Sequence, residues 1–337
     1  KYEVIGMKQN TVRLVWFCLL LLIPLLLPAE GVRYVLFEDF ASASGGAMPA
    51  GWIVLDANSD GVKWDAKDLG GYANGICVRY LSAPIAADDW LFSPAVHLTS
   101  GVSYTLFFNY RTTSAALQHR LEARLGASPA PPSMTTLLLN MNSIANVDIA
   151  DASAPFTVGS TGFNHLGFRC MSNPSNLALF LDNIGISAEE TDLEVVLQMD
   201  KAFYENGANT YTPSEEKKSL IYVENKGIAP VKVNKYFSIG DSNDMAALLS
   251  FEVRDGGGNL VPYQGREKKG EPDESDFVTL AKGQSICKYF DFNSGFFNFK
   301  TAGNYTIRAI YRNVFPSSAG DAWRGRLISA PVVIQIH

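Results

Sequence analysis

From Val35 onward the sequence alternates. Between residues 102 and 110 the apolar and aromatic residues Val102, Tyr104, Leu106, Phe108 and Tyr110 fall on one side, with their neighbours on the other. A period of two sends successive side chains to opposite faces of an extended strand. A chain dominated by that period must bury one face of each strand against a second sheet. Residues 163–169 and 177–186 repeat the pattern. Residues 117–125 read both ways, since Leu117, Leu121 and Leu125 also fit a helix face. Propensity favours helix there, but the neighbours are strands, and the segment is read as a strand. Pro129, Pro131 and Pro132 then force a loop.

Composition agrees with an all-β chain. Charged residues make up 18% and aromatics 12%, in a chain whose 337 residues suit one large or two medium domains. The net charge of −6 provides no basic field, so nucleic acid is not an expected partner. Residues 1–29 read as an upstream extension and a signal peptide. Met7, Lys8 and Arg13 form the positive region, and residues 14–27 form an apolar run interrupted only by Pro24, short for a membrane span. Cleavage near Ala29 leaves 25 basic against 33 acidic residues, a balance of −8, and no membrane span. Cys18 lies inside the apolar run, a poor site for lipid attachment. Cys77, Cys170 and Cys287 remain, an odd number that excludes a full disulfide framework. A Cys77–Cys170 bridge is one reading, and three buried free thiols are another.

Residues 187–192 are polar and aperiodic, which places a boundary there: a first domain over 30–187, a linker over 188–192 and a second domain over 193–337. The second part has a new strand series at 193–199, 218–225, 231–239, 248–254, 276–282, 284–292, 303–313 and 327–336. That many short strands predict an immunoglobulin-like β-sandwich, although no Cys…Trp…Cys signature accompanies it.

Asp56-Ala-Asn58-Ser-Asp60-Gly61 places oxygen-bearing side chains at alternate positions and ends on glycine, as calcium loops begin. Position 12 of such a loop would be Lys67, which cannot ligate a cation, so this is not an EF-hand. A polar Asx turn explains the same residues.

Several motifs resemble the cleaved adhesin (choice-of-anchor J) family over residues 35–187. They are residues 36–40 (LFEDF), 49–52 (PAGW), 55–61 (LDANSDG) with Trp64, 88–94 (DDWLFSP), 167–169 (GFR) and 179–184 (LFLDNI). The resemblance implies a noncatalytic jelly-roll β-sandwich, related to carbohydrate-binding modules and often carrying structural calcium. It also implies a secreted or surface protein of a bacterium, binding extracellular glycans or host and matrix proteins. The family's acidic turn is DADGDG. Here Asn58 and Ser59 depart from it, and one ligand charge is lost. In such jelly rolls the calcium bridges the first and last strands, which suggests Glu38 or Asp39 with Asp182. The metal candidates are therefore Glu38, Asp39 and Asp182, with Asp56, Asn58 and Asp60 as a further source. Residues 192–337 resemble, more weakly, the β-sandwich N-terminal to some secreted lysine-specific metallopeptidases. That suggests an accessory module of a peptidase or glycosidase system as the rival reading.

Enzyme signatures are missing from the sequence. His97, His119, His165 and His337 have no metal-ligand spacing, and there is no HExxH, no nucleophile elbow and no phosphate loop. Of the aromatic residues, Trp52, Trp64 and Trp90 fit a core as well as a sugar-stacking face. Trp64, which follows the polar turn, is taken as ligand-facing, together with Tyr72 and Tyr80. Asp88 and Asp89 alternate faces if extended, so at most one points inward, and structural hydrogen bonding is the favoured role for that pair.

Overall fold

The computed structural model describes residues 30–337 except 44–45, 69–74, 82–83, 175, 202–208, 243–246, 266–271 and 293–294. The residues read as an upstream extension and signal peptide, and Tyr72, lie outside the described residues. The described residues are almost all strand, turn and loop, and none of their helices is long and apolar enough to cross a membrane.

The first unit contains β1 (Glu30–Glu38), β2 (Ile53–Asp56), β3 (Asp65–Asp68), β4 (Ile76–Tyr80), β5 (Asp89–Phe92) and β6 (Val96–Leu98). It continues with β7 (Tyr104–Thr112), β8 (His119–Gly126), β9 (Thr136–Ile144), β10 (Ala150–Phe156), β11 (Gly162–Cys170) and β12 (Leu179–Glu189). One sheet runs β2-β5-β11-β8-β9, and the facing sheet runs β10-β7-β12-β1 with β4 paired to β12. The alternation explains the core. Tyr104, Leu106 and Phe108 of β7 turn inward to meet Leu121, Ala123 and Leu125 of β8 and Leu166 and Phe168 of β11. The helix-or-strand segment is the strand β8, because only a period of two presents those three residues to one core.

The second unit contains β13 (Leu193–Met199), β14 (Thr210–Tyr211), β15 (Lys218–Asn225), β16 (Val231–Asn234) and β17 (Leu249–Asp255). It ends with β18 (Phe277–Leu280), β19 (Ser285–Asp291), β20 (Gly303–Asn313), β21 (Gly325–Ile328) and β22 (Val332–Ile336). A separate core forms between β13-β15-β19 and the sheet containing β17 and β20. It includes a packed group of Phe251, Phe290, Phe292, Phe297 and Phe299. The strand expected at 327–336 is two strands, since Pro331 has no N–H to offer a ladder.

The two units are not strung on a free linker. The strand β12 extends through Glu189. Glu190 N donates to Gly31 O, and Trp323 Nε1 donates to Glu190 Oε2 at 2.6 Å. The first strand belongs to both units. Residues 32–38 of β1 pair with β12, while Glu30–Arg33 pair on the other edge with Gly325–Ile328 of β21. One continuous sheet therefore spans both sandwiches.

No disulfide forms among the three described cysteines. Cys170 points into the first core, whereas Cys77 points away from it on β4, next to inward-facing Val78. The two lie on different sheets, and with Cys77 turned out of the sandwich they cannot be bridged without moving the backbone. Cys287 is exposed, which corrects the expectation of three buried thiols.

Candidate functional site

The antiparallel pairing of β2 with β5 sets Asp56 directly opposite Asp89. Two like charges facing each other across a ladder destabilise the pair. The turn that follows β2 adds a third acid. Ser59 and Gly61 adopt left-handed backbone (φ 59° and 84°), folding Asp60 back over the end of the strand. Carboxylate oxygens of Asp56, Asp60 and Asp89 then lie within 4.8 Å of one another. Among the described residues no other group of three His, Cys, Asp or Glu comes this close.

The two loop acids also hold the turn. Asp60 N and Gly61 N donate to Asp56 (3.2 and 2.9 Å), and Val62 N donates to Asp60 Oδ1 (2.8 Å). Asn58 does not face the cluster with its oxygen. Its Oδ1 accepts from Asp60 N, and its Nδ2 donates to Asp60 Oδ2 and to Ala86 O. The Asx turn expected from the sequence is therefore present, with the acid cluster built upon it.

Asp89 is the unusual member. It is fully buried; Oδ2 accepts from the Tyr80 hydroxyl at 2.7 Å, while Oδ1 has no hydrogen-bond partner. Burial, with Asp60 and Asp56 close by, pushes its carboxyl up to about 6. A buried oxygen without a donor, facing two further carboxylates, is costly unless a cation joins them. The donor set is all oxygen and carries three negative charges, which fits a hard divalent cation such as calcium.

The aromatic assignments need correction. Trp64 and Tyr80 are each 1% exposed, and their rings pack together at 5.6 Å. Neither presents a face to a ligand. Instead Trp64 Nε1 donates to Asp89 O at 3.2 Å, and Tyr80 donates to the Asp89 carboxylate. Both support the buried acid. Trp52 and Trp90 are likewise in cores. Of the acid pair, Asp89 points inward and Asp88 outward to an ion pair with Arg169 (2.7 Å), as alternation requires. The role favoured from sequence, structural hydrogen bonding, fits Asp88 and overlooks Asp89.

The other acid trio gathers where β1 ends beside the irregular stretch of β12. Glu38 is level with Ile184, and the register between β7 and β12 shifts between Asp182 and Gly185. Burial first, then Asp39 and Glu38, push the Asp182 carboxyl up to about 8. Each of these acids is nonetheless engaged with its surroundings. Glu38 accepts from Phe40 N and Trp52 Nε1, Asp39 from Ala41 N, and Asp182 from Asn183 N. They are neighbours without converging on one point as Asp56, Asp60 and Asp89 do.

No family model matches the sequence, and no curated protein matches it. Among solved structures, the chain is similar to the K1 cleaved adhesin domain of Lys-gingipain from Porphyromonas gingivalis W83. The TM-score is 0.38 at 18% identity, covering 45% of this chain and 96% of that one. The K3 cleaved adhesin domain of the same protein gives a TM-score of 0.38 at 22% identity, covering 47% and 99%. The CBM22-1 xylan-binding domain of Paenibacillus barcinonensis Xyn10C gives 0.34 at 12% identity, covering 49% and 99%. Cleaved adhesin domains thus stand among the structural neighbours of the chain whose motifs resemble theirs.

Proposed function

We propose that this is a secreted, noncatalytic binding protein, an adhesin or glycan-binding protein of a bacterial surface, whose first sandwich is stabilised by calcium. The observation that carries the calcium reading is the buried, donorless Oδ1 of Asp89 opposite Asp56 and Asp60. In this reading those three acids hold the ion, Tyr80 and Trp64 fix the buried one, and Asn58 keeps Asp60 in place. The ion supplies charge neutralisation at the turn between β2 and β3 and pins it to β5. The adhesive role is supported by the motif resemblance and by a fold whose loops and sheet faces leave room for ligands.

Thermal unfolding in calcium and in chelator tests the metal. At a hundredfold excess over Kd a ligand adds about 2.7 kcal/mol, which for a chain of this size unfolding as one unit raises the melting temperature by roughly 4 °C. The Asp89→Asn variant should lose that response, yet in chelator melt no lower than the parent, because it removes one of three repelling charges. Identical melting of the parent in calcium and chelator would remove the metal from the proposal. Loss of the response in Asp182→Asn, with Asp89→Asn still responding, would move the ion to Glu38, Asp39 and Asp182. Probing glycans and matrix proteins with and without calcium tests the adhesive role.

A further inference from the structure

Where the two sandwiches share a sheet, its outer face forms a groove of about 410 Å³. Three parts of the chain line it: β7, β10 and β12 of the first unit, the shared strand β1, and β20 and β21 of the second. The floor is aromatic. The rings of Tyr34 and Phe107 lie 5.4 Å apart and are partly exposed. Phe107 lies flat on the sheet because residue 185 is glycine; a Cβ there would collide with the ring. One end of the groove is cationic. Arg312 and Arg326 are paired across β20 and β21, so both side chains lie on the same face beside Tyr34, Arg326 partly exposed and Arg312 buried with its guanidinium also donating to Ser242 O. Arg312 hydrogen-bonds the Tyr34 hydroxyl. The Arg326 side chain makes no hydrogen bond or ion pair to another described residue. The opposite end is built for hydroxyls. Asn109 Nδ2 donates to Asp151 Oδ1, leaving an exposed carboxylate to accept further hydrogen bonds.

We propose that this groove binds a carboxylate-bearing saccharide. Its acid group would meet Arg326, with the buried Arg312 adding charge behind it, its apolar pyranose face would lie on Tyr34 and Phe107, and its hydroxyls would bond Asn109 and Asp151. A guanidinium fork matches a carboxylate, and aromatic rings bind flat faces that end in polar groups. Asp151 repels a second anionic group at the far end, so the groove selects one acid rather than a polyanion. The inference rests on reading the chain as a binding protein, and on none of the proposed calcium ligands.

The test is calorimetric titration of the purified chain with sialyllactose against lactose, and with galacturonate against galactose. At least one acidic member should bind about tenfold more tightly than its neutral partner. Arg326→Ala should erase that preference and Arg326→Lys restore part of it, with the calcium response of melting unchanged in both. Equal binding of acidic and neutral sugars, silence on all four, or a preference that survives Arg326→Ala would overturn the proposal. So would tighter binding of a short peptide with a free C-terminal carboxylate than of any sugar. Silence in a protein that still melts higher in calcium would end this inference and leave the calcium reading standing.

Discussion

Asp89 and Asp182 are buried carboxyls held at about 6 and about 8 without a bound cation. Both lie above the unfolded value of about 3.9. A carboxyl whose pKa is raised by folding contributes stability that is complete below its unfolded pKa and lost as pH rises through the folded one. In chelator the melting temperature should therefore fall between about pH 4 and pH 8. Asp182→Asn should flatten the upper part of that fall, and calcium should flatten the part due to Asp89. A melting temperature that climbs steadily across the window in chelator would contradict both assignments. The alternation of Asp56, Asn58 and Asp60 was legible because those residues are neighbours in sequence. Asp89 was not, since its place in the cluster depends on the register between β2 and β5. Trp64 and Tyr80 misled for a related reason: alternation tells which residues share a face, and a polar turn beforehand does not tell which face is wet.

At the level of strands, periodicity read well wherever one face is buried. Residues 193–199, 218–225 and 303–313 form strands with those bounds. It failed where the chain needed a partner to be a strand at all. The strands β3 and β9 show little alternation in burial and exist by pairing with β4 and β8. The cysteines follow the same logic. Cys77 on β4 and Cys170 on β11 are buried, and burial pushes each thiol up to about 12, whereas Cys287 opposes Tyr222 on the exposed side of β19. Thiolate is the reactive form, so a disulfide reagent at neutral pH should label Cys287 rapidly and leave Cys77 and Cys170 unmodified until the protein unfolds. Rapid labelling of all three in the native protein would contradict this packing.

For the whole molecule, residues 187–192 read as a polar, aperiodic break, and nothing in the sequence marked the joint between β1 and β21. Residues 30–33 carry no mark of serving two sandwiches. Gly325 is where the joint is tightest: a Cβ there would collide with the Val32 carbonyl oxygen and the Trp323 ring. Gly325→Val should therefore open the pairing of β1 with β21 while leaving both cores intact. Calorimetry should show one unfolding transition for the parent and two for this variant; one transition in both would mean that the shared edge does not couple the units. The same edge sets an order of assembly. Its partners, Glu30–Arg33 and Gly325–Ile328, stand at nearly opposite ends of the described chain. On a chain made from its N-terminus, the first strand must wait with one side bare until almost everything after it has been synthesised. The groove between the arginines and the aromatic floor is therefore the last surface to take shape, and a chain cut short before β21 would fold its first sandwich without ever acquiring it.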